Sequence, residues 1–159
     1  MNGIRFFIVL SALLTGCSQL AGTNELAHGR YKNYEAAVQS HMLDNGWLPK
    51  QFPRSAANIE EAHSIDSGEI WVAFNFKPGG IDLLVAECAP YQNVKLPDAK
   101  RSARSAPWWR RTLVAGSGPG GDKSLSLYSC PQMNHAGSVL SAGLAVDREA
   151  NLAMYWVAK

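Results

Sequence analysis

The sequence predicts an α+β domain, an antiparallel sheet of about four strands with two or three helices packed on one face. Three patterns predict it. Between Glu69 and Lys77, Ile70, Val72, Phe74 and Phe76 alternate with Trp71, Ala73, Asn75 and Lys77, the period of a strand with one face in a core. Towards the end of the chain Leu140, Ala142, Leu144 and Val146 repeat that period, Asp147 to Asn151 turn, and Leu152, Met154, Trp156 and Ala158 return as a hairpin. Tyr31, Tyr34, Val38 and Met42 recur at helical spacing while Lys32, Glu35 and Gln39 fall on other faces, which indicates an amphipathic helix.

The remaining elements follow in chain order. Gly46 supplies the stop of the first helix. Pro49 and Pro53 force extended backbone at Leu48 and Phe52, because a proline disfavours helix at the residue before it. Ser55 is the expected N-cap of a short helix over Ala56 to His63, and Asp66-Ser67-Gly68 closes that unit in a turn. After the Pro78-Gly79-Gly80 break, Ile81, Leu84, Val85 and Cys88 fit a helical stripe, with a short buried strand as the other reading. Ala89 to Pro107 has no usable period and contains three prolines, so a long surface loop is expected. Leu113-Val114 is expected as a short strand, Gly116 to Gly121 as a flexible segment, and Ser124 to Cys130 as a further strand.

Composition bounds the function. A chain of 159 residues with 47% hydrophobic and 18% charged side chains suits one domain with a packed core. A net charge of +2 is too small for the long-range field that draws in nucleic acid, so no nucleic-acid partner is expected.

The first residues differ from the rest. Arg5 gives a positive flank to Phe6–Leu14, a mostly apolar run of nine residues. That is the length of a signal-peptide core and about half of what a bilayer-spanning helix needs, roughly 20 residues. Leu14-Thr15-Gly16-Cys17 then resembles the lipobox of bacterial lipoproteins. The resemblance implies diacylglycerol in thioether linkage on Cys17, cleavage before it and acylation of the new amino terminus. Residues 1–16 would be the signal peptide, 17–30 the lipidated Cys and a polar tether, and 31–159 the folded domain. Two or three acyl chains give stable membrane residence, because each buried CH2 contributes roughly 0.8 kcal/mol. In that family an Asp after the Cys retains a protein in the inner membrane. Ser18 stands there, so the resemblance implies the periplasmic leaflet of the outer membrane in a diderm host.

With Cys17 lipidated, Cys88 and Cys130 are left, and an oxidising periplasm allows them one intramolecular bond. A Cys88–Cys130 disulfide is therefore expected to staple the domain, the other reading being two buried thiols. Gly46 to Phe76, together with Leu144 to Asp147 and Tyr155-Trp156, also resembles small bacterial proteins without an established activity. That likeness bears on the fold alone.

No catalytic constellation is complete. Gly116 to Ser124 (GSGPGGDKS) departs from a phosphate-binding P-loop, since Asp122 separates Gly121 from Lys123 and strand-like residues follow. None of His28, His41, His63 and His135 stands in a metal spacing, and no metal or cofactor is expected. His63 and Asp66 are close enough in sequence to share an acid–base site, the basis of an alternative reading as a small periplasmic hydrolase or an inhibitor of an envelope hydrolase. Glu60 and Glu61 are expected on the exposed face of the short helix. No Ser lies in a nucleophile elbow.

The most unusual segment runs from Lys95 to Arg111. Lys95, Lys100, Arg101, Arg104, Arg110 and Arg111 face one acid, Asp98, with Trp108 and Trp109 interleaved. Lys100, Arg101, Arg104, Trp108, Trp109, Arg110 and Arg111 form the candidate binding patch for anionic headgroups or acidic envelope sugars, the other reading being a solvated loop whose tryptophans fill the core. The expectation is a non-enzymatic envelope lipoprotein, anchored through Cys17, that binds an envelope protein, peptidoglycan or anionic lipid.

Overall fold

Seven antiparallel strands hydrogen-bond in the order β1-β2-β3-β7-β6-β5-β4, where β1 is Leu26–Asn33, β2 Ala57–Ser64, β3 Ile70–Asn75, β4 Ala89–Pro90, β5 Leu125–Met133, β6 Val139–Asp147 and β7 Leu152–Val157. The structure, a computed structural model, describes residues 26–92, 94–113, 124–133 and 139–158. Two meanders meet at the centre, where β3 pairs with β7 and sets Trp71 opposite Trp156 and Val72 opposite Tyr155.

Among the described residues three short helices accompany the sheet: α1 (Tyr34–Gln39), α2 (Asp82–Ala86) and α3 (Ala99–Ser105), with a 3-10 turn at Arg111–Leu113. They lie on both faces, not on one as expected. One face buries Ile59, Val72, Phe74, Leu144 and Tyr155 beneath Ala37 of α1 and Leu84 of α2. The other buries Trp71, Met154 and Trp156 beneath Ala106, Trp109 and Leu113. Each central strand thus places both of its side-chain sets in a core, as a strand covered on two sides must. The sheet has seven strands, not about four, and among the described elements strand outweighs helix.

One expected helix, Ala56 to His63, is a strand, and the first helix is shorter than expected. Residues Leu26–Asn33 form β1, so strand begins inside the segment expected as a tether, and the helix starts only at Tyr34. Asn33 sets that start: its side chain accepts a hydrogen bond from the Ala36 N–H at 3.1 Å. The helix ends at Gln39, and His41 follows at φ 58°. Ala57–Ser64 is β2, held by ladders to β1 and β3. Helix propensity in Glu60-Glu61-Ala62 amounts to a few tenths of a kcal/mol per residue, and pairing on two sides outweighs it. A register shift between Ala57 and Glu60, with Asn58 at φ 49°, marks a bulge where β2 begins.

The expected loop from Ala89 to Pro107 holds β4 and α3, the latter capped by Asp98, whose carboxylate accepts from the Arg101 N–H at 2.8 Å. Leu113 closes the 3-10 turn where a strand was expected. The hairpin of β6 and β7, the strand β3 and the helix after Gly80 follow the expectation. Cys88 and Cys130 are joined in a disulfide, tying the end of α2 to β5. The glycine-rich segment 116–121 and the residues expected as signal peptide and lipobox lie outside the described residues. Among the described residues no helix is long and apolar enough to cross a membrane.

Candidate functional site

Two polar groups stand out against this apolar frame, one buried and one at the surface. The buried one lies on β2. Glu61 and His63, two residues apart on a strand, point to the same face. His63 Nδ1 lies 2.6 Å from Glu61 Oε1, and Trp47 stacks on the imidazole with ring centroids 3.8 Å apart. Glu61 is 1% exposed, and its Oε2 has no hydrogen-bond partner among the described residues. Burial pushes its carboxyl above the usual carboxylate range, against the hydrogen bond and charge of His63. Tyr31, whose ring packs over Gly29 on β1, has its phenol raised by burial and by the Glu61 charge.

This placement corrects two expectations. Glu61 is buried, not on an exposed helix face, because its segment is a central strand. His63 meets Glu61, while Asp66 sits exposed in the β2–β3 turn with no hydrogen bond or ion pair to His63. His63 lines none of the clefts described below. Glu61 borders one of those clefts, yet it is 1% exposed and His63 7%, so the pair is a carboxylate–imidazole contact largely covered by the fold.

Its pH dependence can be checked. A carboxyl raised in the folded state stabilises the fold fully below its unfolded pKa of about 4.3, and that contribution is lost as pH rises through the raised value. Glu61→Gln, which keeps shape and a hydrogen bond, removes the loss. Urea midpoints of the variant and the parent should diverge as pH rises from acid to neutral, the variant gaining. A difference that stays flat with pH would refute the assignment.

The surface group surrounds α3. Lys100, Arg101 and Arg104 are exposed on it, while Ser102 and Ser105 are buried beneath. Ser102 accepts the indole N–H of Trp71 at 3.1 Å and so ties α3 to the sheet. Arg101 is ion-paired with Glu69, a carboxylate only 1% exposed that also accepts from the Ser67 hydroxyl at 2.9 Å. Arg110 faces Asp147 at 3.4 Å; the Ala150 N–H, and then Arg110, hold the Asp147 carboxyl below its usual value despite its desolvation. Trp109 is core: it is 6% exposed, donates to the Leu113 carbonyl at 2.9 Å and meets Trp156 edge to face. Trp108 is half-buried against it. The Arg111 side chain lies outside the described residues.

Of the seven patch residues, then, Lys100, Arg101 and Arg104 stay outward on one helix with Trp108 beside them. Two clefts open around them. One, of about 290 Å³, is lined by Leu26, Ser64, Ser67, Glu69, Arg101, Arg104 and Ser105. The other, of about 440 Å³, is lined by His28, Gly29, Arg30, Glu61, Arg104, Pro107 and Trp108. Arg104 belongs to both. A third, smaller cleft lies beside the disulfide, between Pro49 and Pro131. Among the described residues no three His, Cys, Asp or Glu side chains converge to hold a metal ion.

The segment that carries β1, β2 and β3 is also the one that has a known counterpart. Residues 25–75 are similar to the YbbD head domain. The YbbD head match thus spans the first meander, with Trp47, Glu61, His63 and Glu69, and ends where β3 ends. Neither the α3 cations nor the disulfide falls inside it. No characterised protein and no solved structure matches the chain.

Proposed function

We propose that this chain is an envelope lipoprotein, held by lipid on Cys17 at the periplasmic face of the outer membrane, whose domain binds an envelope component through the surface around α3. The observation that carries the reading is the use of the cysteines. Cys88 and Cys130 are consumed in one disulfide, the state of an oxidising compartment, and Cys17 is the cysteine that follows a lipobox. The position of β1 adds support. Leu26 follows Cys17 by nine residues, and nine residues span at most about 32 Å even when fully extended. An anchor at Cys17 therefore keeps the Leu26 end of the sheet close to the bilayer.

The test is metabolic labelling with palmitate. Label should enter the parent and be lost, by more than tenfold, in Cys17→Ser, with the variant recovered in the soluble periplasmic fraction. An unmodified amino terminus in the parent, read by mass spectrometry, would overturn the proposal.

A further inference from the structure

We infer that the groove meeting at Arg104 binds the phosphate of an anionic lipid headgroup. This deepens the membrane-anchored reading and rests on it for the source of the phosphate. Five arginines are already engaged. Arg30 faces Glu60, Arg101 faces Glu69, Arg110 faces Asp147 and Arg148 faces Asp82, while Arg54 lies over the Tyr34 ring. Arg104 is exposed and has no ion pair among the described residues, although it lines both clefts. Its planar five-donor fork is therefore open at the point where two concave surfaces join, and such a fork matches two phosphate oxygens at once.

The surroundings complete the site. Arg101 precedes Arg104 by three residues on α3 and so lies on the same side of the helix. Buried Glu69 holds Arg101 by one terminal nitrogen, which fixes that guanidinium at the rim of the cleft. The hydroxyls of Ser64 and Ser105 line the same cleft and can donate to an anion. Trp108 borders the other, where an indole suits the boundary between headgroups and acyl chains. At the same end, Ile65 in the β2–β3 turn is 55% exposed. Leu26, the residue through which the chain arrives from Cys17, is itself a wall of the first cleft.

Acids are present as well. Glu69 and Glu61 line the two clefts, and Asp66 and Asp98 are exposed, so recognition depends on the fork at short range, not on a broad positive field.

The experiment uses the mature chain, residues 17–159, carrying Cys17→Ser, so that no acyl chain contributes. Sedimentation with vesicles should show binding to phosphatidylglycerol mixed into phosphatidylcholine and none to phosphatidylcholine alone. Arg104→Gln should weaken that partition by about fivefold, the effect of one cation at an anionic surface. Lys77→Gln removes the same charge from the opposite end of the sheet, beyond Asn75, and should change it less than about twofold. Equal losses in the two variants, or no preference for the anionic vesicles, would overturn the inference. Binding of soluble glycerol phosphate without vesicle binding would also overturn it, by moving the phosphate away from lipid. Failure of the palmitate experiment is a separate result, since it concerns the parent chain and leaves the vesicle comparison readable.

Discussion

Gly143→Val is expected to destabilise the protein by about 3 to 5 kcal/mol, the range for losing a large core aromatic. Gly143 on β6 lies directly opposite Trp156 on β7, and the indole lies flat across it. A Cβ on residue 143 would fall 2.0 Å from two carbons of that ring. A flexible side chain could swing aside, but Trp156 is fully buried. Its N–H donates to the Lys95 carbonyl at 2.9 Å, and its edge meets Trp109. Displacing it therefore opens the core under α3 and breaks that hydrogen bond. Gly143→Ala should show a smaller loss in the same direction. Urea denaturation with near-ultraviolet circular dichroism is the measurement: a loss of tryptophan signal should accompany the drop in midpoint. A Gly143→Val variant as stable as the parent would refute the packing described for β6 and β7.

Removing the disulfide should have a comparable effect. Cys88→Ala with Cys130→Ala opens a loop of 43 residues counting both ends, for which the chain-entropy estimate is about 4 kcal/mol. The loss acts mainly through the unfolded chain, so the folded spectrum should be unchanged while the midpoint falls. Adding reductant to the parent should reproduce the shift, and adding it to the double variant should do nothing. Agreement between the reduced parent and the variant separates loss of the cross-link from loss of Cys130 packing, since Cys130 is only 4% exposed.

Part of this fold was legible in the sequence, for definite reasons. β3, β6 and β7 announce themselves because branched and aromatic residues alternate through them. Their second buried face did not, since Trp71 and Ala73 read as the side of β3 turned to solvent until α3 and the 3-10 turn are laid over it. β2 was missed because polar residues occupy positions facing the core, and β1 because its less exposed positions, Ala27, Gly29, Tyr31 and Asn33, carry little apolar signal. In Ala57–Ser64 the sites shared with Ile59 are Glu61 and His63, which erases the apolar period and leaves helix formers as the only local signal. The same error hid their contact: residues two apart diverge on a helix and converge on a strand. Recognising the strand would have found the pair.

The cationic segment was legible as composition and not as geometry. Sequence spacing shows that Arg101, Arg104 and Arg110 are clustered. It does not show that Glu69, 32 residues before Arg101, and Asp147, 37 residues after Arg110, neutralise two of them and leave Arg104 open. Ion pairs across that separation are set by the sheet, which places the β2–β3 and β6–β7 turns at its opposite ends. Trp108 and Trp109 look equivalent as neighbours, yet the buried indole hydrogen bond assigns only Trp109 to the interior.

The two borders of the sheet are unlike, and this limits how copies of the domain can stack. On one side β4 is two residues long, ends in Pro90, which lacks an N–H, and stands next to the cross-link at Cys88. On the other, β1 offers eight residues with Arg30 and Lys32 among them. Fibril growth by strand addition requires a receptive border at each end of every unit. Two molecules joined along β1 would turn their β4 borders outward, where the two-residue strand and Pro90 interrupt pairing with a third copy.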